Sequence, residues 1–195
     1  MAPPARIAAE KRQHIVETAY ALFKRAGYHA TGIDRIIAEA KVAKMTMYRH
    51  FPSKDGLIVA VLRHRADRFD AQLDRLAEHA ATPEAKIATV LDWYARWFRS
   101  ADFHGCLHQH ALAEFGDPGH PVFGAVAEHK ASVRRRLCRI LEEGMPRDRA
   151  EGAATALFML LEGATLLALM GQGDDAIRTV RQAAPALIAM PAGVP

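Results

Sequence analysis

Seven consecutive residues, Lys44-Met45-Thr46-Met47-Tyr48-Arg49-His50, set cations beside a hydroxyl, a phenol and an imidazole. That mixture suits hydrogen bonds to phosphate oxygens and base edges. Thr31 and Arg35 lie ahead of the run and Lys54 follows it. A second group, His104, Cys106, His108 and His110, carries side chains that can ligate metals. On a helix, residues two apart point about 200° apart. The pairs His104/His108 and Cys106/His110 would then face opposite sides, and all four converge only on extended chain. Gly105 marks a helix start within the set, so no metal site is expected. The chain has no nucleophile–base constellation, no Gly-rich phosphate loop and no zinc-protease spacing. Neither a catalytic residue nor a cofactor is expected.

The elements that must position these residues are helices. There is no alternating β-branched run and no hairpin signal of the Asn-Gly type, so the expected fold class is all-α with about nine helices. Ile15, Ala19, Leu22, Phe23 and Ala26 recur at helical spacing over about Glu10 to Ala26, and Gly27 supplies a left-handed C-cap. Thr31 with Asp34 reads as a capping box for a helix from Ile33 to Ala40. A break at Lys41-Val42-Ala43 leads into a short helix, Lys44 to His50, which Phe51-Pro52 stops. Ser53 then N-caps a long fourth helix. Two short helices joined by a tight turn make a helix-turn-helix unit, and its second helix enters the major groove of DNA. Ile33, Ile36, Ile37, Val42, Met47 and Phe51 read more readily as the core of this head than as contacts. Arg35 and Arg49 stay open between solvated cations and phosphate contacts.

The charge distribution agrees. Residues 1–65 hold 12 Lys/Arg against 5 Asp/Glu, net +7, and residues 66–195 hold 14 against 17, net −3. A basic third on a mildly acidic remainder fits a polyanion-binding module on a non-binding body. The two cysteines, Cys106 and Cys138, imply no disulfide framework and fit a cytoplasmic compartment. The first six residues show no apolar leader. Ala153 to Met170 is the longest apolar stretch, but Glu162 and Gly163 interrupt it, so it reads as a buried helix rather than a membrane span.

Thr31-Gly32-Ile33-Asp34-Arg35-Ile36-Ile37-Ala38-Glu39-Ala40, Val42 and Thr46-Met47-Tyr48-Arg49-His50-Phe51-Pro52-Ser53-Lys54-Asp55-Gly56-Leu57 resemble the DNA-binding signature of the tetracycline-repressor family. With Ala19, Leu22, Phe23 and Gly27-Tyr28, the resemblance covers about residues 10–57. It implies a dimeric regulator, usually a repressor, that binds double-stranded operator DNA through a domain of residues 1–55. It further implies a ligand-binding and dimerisation domain, residues 56–195, and a small, largely apolar effector. By resemblance, Thr31 caps helix two and touches a phosphate. Lys44 and Thr46 begin the recognition helix, Met47 belongs to it, Tyr48 and His50 meet backbone and bases, and Lys54 grips a phosphate. Arg35 is a further DNA-contact candidate. Two departures stand out. Lys41 replaces the usual turn glycine, so either it adopts a costly left-handed backbone or the turn differs, and Ala43 replaces the usual capping serine.

Beyond about residue 60 the resemblance carries architecture only. Thr82-Pro83-Glu84 is a strong helix start. Further helices are expected from near Gly105, Val122, Asp148 and Asp174, with Pro185 kinking or ending the last and the chain from Pro191 loose. Trp93, Trp97, Phe98, Phe115, Phe123 and Phe158 are candidates to line an effector pocket, with His110 and Glu162 as polar handles; any single aromatic reads more readily as ordinary core, while some are expected to face a pocket. Helix eight is apolar around much of its circumference, more than one packed face would cover. It is therefore expected to pair with a second subunit, through Ala153, Leu157, Leu160, Ala164 and Leu167, joined by Ile177 and Val180 of helix nine.

Overall fold

A computed structural model describes residues 4–78 and 80–189, among which there are nine α-helices and no strand. They are α1 (Pro4–Ala26), α2 (Ile33–Glu39), α3 (Lys44–His50), α4 (Lys54–Glu78), α5 (Pro83–Phe98), α6 (Leu107–Glu114), α7 (Pro121–Glu142), α8 (Arg147–Leu169) and α9 (Gly173–Ala189). The tail from Pro191, expected to be loose, lies outside the described residues. Two compact units are formed. One combines the chain up to Asp67 with Leu107–Glu128; the other combines Arg68–Cys106 with the chain from His129 onward.

Local chemistry sets most of the boundaries. The Gly27 amide donates to Phe23 O at 2.9 Å with φ +80°, the left-handed C-cap read from the sequence. Ser53 Oγ accepts from Gly56 N at 3.0 Å at the start of α4, and Thr82 Oγ1 accepts from Ala85 N at 3.3 Å ahead of Pro83. The capping box at Thr31 does not form. The N-cap of α2 is Gly32, without a side-chain cap, because the buried Thr31 hydroxyl donates instead to Gly27 O at 2.7 Å. α9 runs through Pro185 to Ala189 rather than ending there.

Lys41 has φ +51°, the one left-handed non-glycine among the described residues. The turn thus keeps the geometry glycine would supply, at a cost of about 1–2 kcal/mol. Lys41→Gly is expected to raise the stability of the head by roughly 1 kcal/mol, read as a higher urea midpoint.

The first unit packs around Ile15, Leu22, Phe23, Tyr28, Ile36, Met47, Phe51 and Leu57, all essentially buried. Met47, named with the DNA-contact candidates although its spacing reads more readily as core, is fully buried, 0% exposed, and belongs to the core. In the second unit α8 and α9 pack on each other and on α5, around Ile87, Val90, Leu91, Leu157, Leu161, Ile177 and Val180. Of the residues expected at a dimer face, Leu157, Ala164, Ile177 and Val180 are instead buried within the chain itself.

α8 nonetheless has two apolar sides. Ala150, Ala154, Leu157, Leu161, Ala164 and Ala168 point inward. Met159, Leu166 and Met170 stand 55–64% exposed, and at 100° per residue they share one stripe with Gly152 and Gly163. A Cβ added at either glycine would meet nothing within 4 Å. Among the described residues α8 is the one helix long and apolar enough to cross a membrane by length and composition. Its inward side, however, forms part of the core of the second unit.

Candidate nucleic-acid interface

α3 is held by one buried anchor, Met47, and by the α2–α3 turn, in which Val42 N donates to Ile37 O at 3.3 Å. With that side committed, the opposite side presents Lys44, Met45, Tyr48 and Arg49, all exposed, while Thr46 is half-buried. As Ala43 implied, α3 has no side-chain cap. Lys44 Nζ lies 3.5 Å from Asp34 Oδ1 with both side chains mostly exposed. Such a pair contributes under about 1 kcal/mol, so Lys44 can exchange it for a phosphate at little cost. Arg35 is exposed beside it on α2. Lys54 Nζ reaches His29 O at 3.4 Å, which places the ammonium over the α1–α2 loop.

His50 sits half-buried, and its pKa is lowered from the usual imidazole value by burial first, then by Arg49, Arg12 and Lys11. The ring is thus neutral at physiological pH within a cationic neighbourhood. Arg12 also stacks on Phe51, 4.9 Å from the ring centroid. Three features of this face were missed in the sequence reading. Lys11 and Arg12 belong to α1, far from the motif in sequence. Met45, 81% exposed, is a large apolar side chain on a polar face; its position opposite Met47 on the helical wheel was a readable signal.

Thr31 does not point at this surface. Nor does Phe115 belong to an aromatic pocket of the body. Within the first unit it packs on Tyr28, His29 and His120, with ring centroids 5.9, 4.7 and 4.9 Å away. Beside it, the Glu114 carboxylate accepts from Tyr28 N at 2.9 Å and His29 N at 2.7 Å, and Tyr28 Oη donates to Leu107 O at 2.9 Å. His120 Nε2 lies 3.4 Å from Asp55 Oδ2 at the start of α4. His110 and Phe123, half-buried, lie in this unit too.

The second unit brings together Trp93, Trp97 and Phe98, with Phe69 and Phe103 against them at centroid distances of 5.0–5.7 Å. Phe158 packs against the same core, partly buried. Glu162, expected as a polar handle, is bound to Lys130 at 2.6–2.7 Å, and Lys130 Nζ also lies 3.6 Å from Cys106 Sγ. Tyr94 is buried near Glu162 and Cys106, and burial first, then their charges, hold its phenol protonated. Lys130 was missed, although it interrupts the inward row Val126, Val133 and Leu137 of α7. Among the described residues no three His, Cys, Asp or Glu are grouped as a metal site requires.

His129 is buried against Phe69, and its pKa falls to about 4, through burial first and then Lys130 and Arg136. Near neutral pH neither the folded nor the unfolded state carries this proton. As pH falls from ~6.5, the unfolded chain takes it up while the fold resists until about 4. Stability should therefore drop by roughly 3 kcal/mol across that window. A urea series between pH 7.5 and 4 should show this fall, and His129→Gln should flatten it.

Two short helices joined by a tight turn, with an exposed cationic row on the second, form a helix-turn-helix head, and an all-helical body follows it in the chain. Comparison with known proteins makes this plan specific. The family model described as "Bacterial regulatory proteins, tetR family" matches residues 15–61, and "Tetracyclin repressor-like, C-terminal domain" matches residues 83–184. A TetR-family transcriptional regulator from Streptomyces coelicolor, SCO4454, superposes with TM-score 0.85 at 30% identity, over 92% of this chain and 95% of that one. The chain belongs to the TetR family of transcriptional regulators. The reduced form of NemR from E. coli shares the fold, with TM-score 0.82 at 22% identity over 93% of this chain and all of that one. The repressor KstR of Mycolicibacterium smegmatis is 36% identical over 78 residues, 40% of this chain and 38% of that protein, so the match spans under two fifths of the repressor. The regulator LmrA of Bacillus subtilis is 26% identical over 92% of this chain and 97% of its own length.

Proposed function

We propose that the protein is a cytoplasmic homodimeric repressor that leaves its operator when a small, largely apolar molecule binds its body. The observation that carries the DNA half of this reading is the exposed row Lys44, Met45, Tyr48 and Arg49, set opposite a buried Met47. Lys44, Arg35, Arg49 and Lys54 contact phosphates, Tyr48 and Thr46 reach backbone or base edges, and Met45 packs on a thymine methyl. The dimer forms through the outward stripe of α8, Gly152, Met159, Gly163, Leu166 and Met170, with Leu167 at its margin. A two-fold dimer also matches half-sites one helical turn apart. The effector occupies the aromatic group Trp93, Trp97, Phe98 and Phe158, with Lys130 and Glu162 at its polar end. A coupling of about 1–3 kcal/mol would lower operator affinity roughly 5- to 150-fold.

The test is binding of the full-length protein to labelled DNA from upstream of its own gene, as a salt series against random duplex. Specific binding in the range of about 10⁻⁸–10⁻¹¹ M, relieved by apolar compounds from a screen, is the expected result. Binding no tighter than to random duplex, across all flanking regions and after ligand removal, would sink the reading.

A further inference from the structure

Between the second half of α7 and the first half of α8 runs a groove of about 560 Å³. Its lining includes five arginines, Arg134, Arg135, Arg136, Arg139 and Arg147, and two carboxylates, Glu142 and Glu151, both of which pair with Arg147. Two of the arginines are committed: Arg136 to Asp70 and Asp74, and Arg147 to Glu142 and Glu151. The other three make no ion pair among the described residues and stand exposed on α7. Arg135 and Arg139 are one helical turn apart, where like charges destabilise a helix by a few tenths of a kcal/mol. The concentration is also out of character with the chain beyond residue 65, whose net charge is −3. Clustered guanidinium groups without carboxylate partners match a multiply charged anion, because each fork offers two parallel donors to phosphate oxygens. No aromatic ring lines the groove, so nothing there stacks on a base. The volume lies within the span of small-molecule sites.

We propose that this groove binds an oligophosphate, the di- or triphosphate group itself, either free or as the tail of a nucleotide. Arg135 and Arg139 grip it, and Arg134 closes one side. None of the groove's lining residues belongs to the exposed row of α3 or to the aromatic group of the body, so the proposal stands whether or not the effector reading holds.

Calorimetry of the full-length protein with inorganic triphosphate, ATP, monophosphate and sulfate tests this. Triphosphate should bind in a salt-sensitive manner, with monophosphate and sulfate at least about tenfold weaker. Equal affinity for ATP and triphosphate would mean that the phosphates alone are read; tighter ATP binding would make the nucleotide the source. Arg135→Ala/Arg139→Ala should weaken triphosphate about tenfold or more, and Arg135→Lys/Arg139→Lys, which keeps the charge but loses the fork, should fall between. Both changes are on exposed side chains, and circular dichroism checks the fold. The proposal is overturned by absence of binding at millimolar triphosphate, by sulfate binding as tightly, or by binding that survives the Arg135/Arg139 changes but is lost in Lys44→Ala/Lys54→Ala.

Discussion

The double substitution Lys44→Ala/Tyr48→Ala is expected to lower operator affinity about a hundredfold or more while leaving the fold intact. Both side chains are exposed on α3, so little packing is lost. The Lys44–Asp34 pair, at 3.5 Å between mostly exposed groups, contributes under about 1 kcal/mol to stability. On DNA the balance reverses. A lost phosphate contact lowers the salt slope by about one, and a lost base-edge contact costs about 1–3 kcal/mol. In a dimer each loss enters twice. A salt series of fluorescence anisotropy separates the terms: Lys44→Ala alone should weaken operator and random duplex alike. Met45→Ala should weaken the operator only, and only while its contacted position holds thymine. Unchanged affinity in the double variant would move the interface away from α3.

Charging the outward stripe of α8 should have the second large effect. Met159→Glu/Leu166→Glu is expected to give a folded monomer that no longer binds the operator tightly. Both residues are more than half exposed in the subunit, so the carboxylates cost the isolated fold little. Across a closed interface each would be an unpaired buried charge, a penalty of several kcal/mol. Gly163→Arg should act alike, since a side chain there meets only open space within the subunit. Sedimentation reads the assembly state. A dimer that survives all three changes would show that another face makes the contact.

The head was largely legible because its signals are local. Spacing of apolar residues, Gly27, the Ser53 cap and the Lys41 turn are readable within a few residues of where they act. Thr31 misled because a cap and an inward hydrogen bond ask for the same residue type; only the path of the preceding loop, which brings Gly27 O within 2.7 Å, decides. The body was legible as architecture but not as detail. That α8 is apolar over much of its circumference was readable from the sequence. Which side faces its own core depends on where α5 and α9 lie, and no local pattern encodes that. The same holds for Lys130 and Glu162, 32 residues apart in sequence and 2.6 Å apart in space.

The bonds from Leu107 and Glu114 to the α1–α2 loop bear on any attempt to graft this regulator's specificity onto a relative. The conventional transplant would cut after the helix-turn-helix and splice it to a foreign body. Here that cut strips Tyr28 Oη of its acceptor and the Tyr28 and His29 amides of the Glu114 carboxylate. It also removes Leu107, Ala111, Val122 and Val126 from the apolar cluster they share with Phe23 and Leu57. A working hybrid must carry a discontinuous cassette, the N-terminal helices together with residues 107–128. The packing of the head is thus inherited in two pieces of sequence that have to be exchanged together.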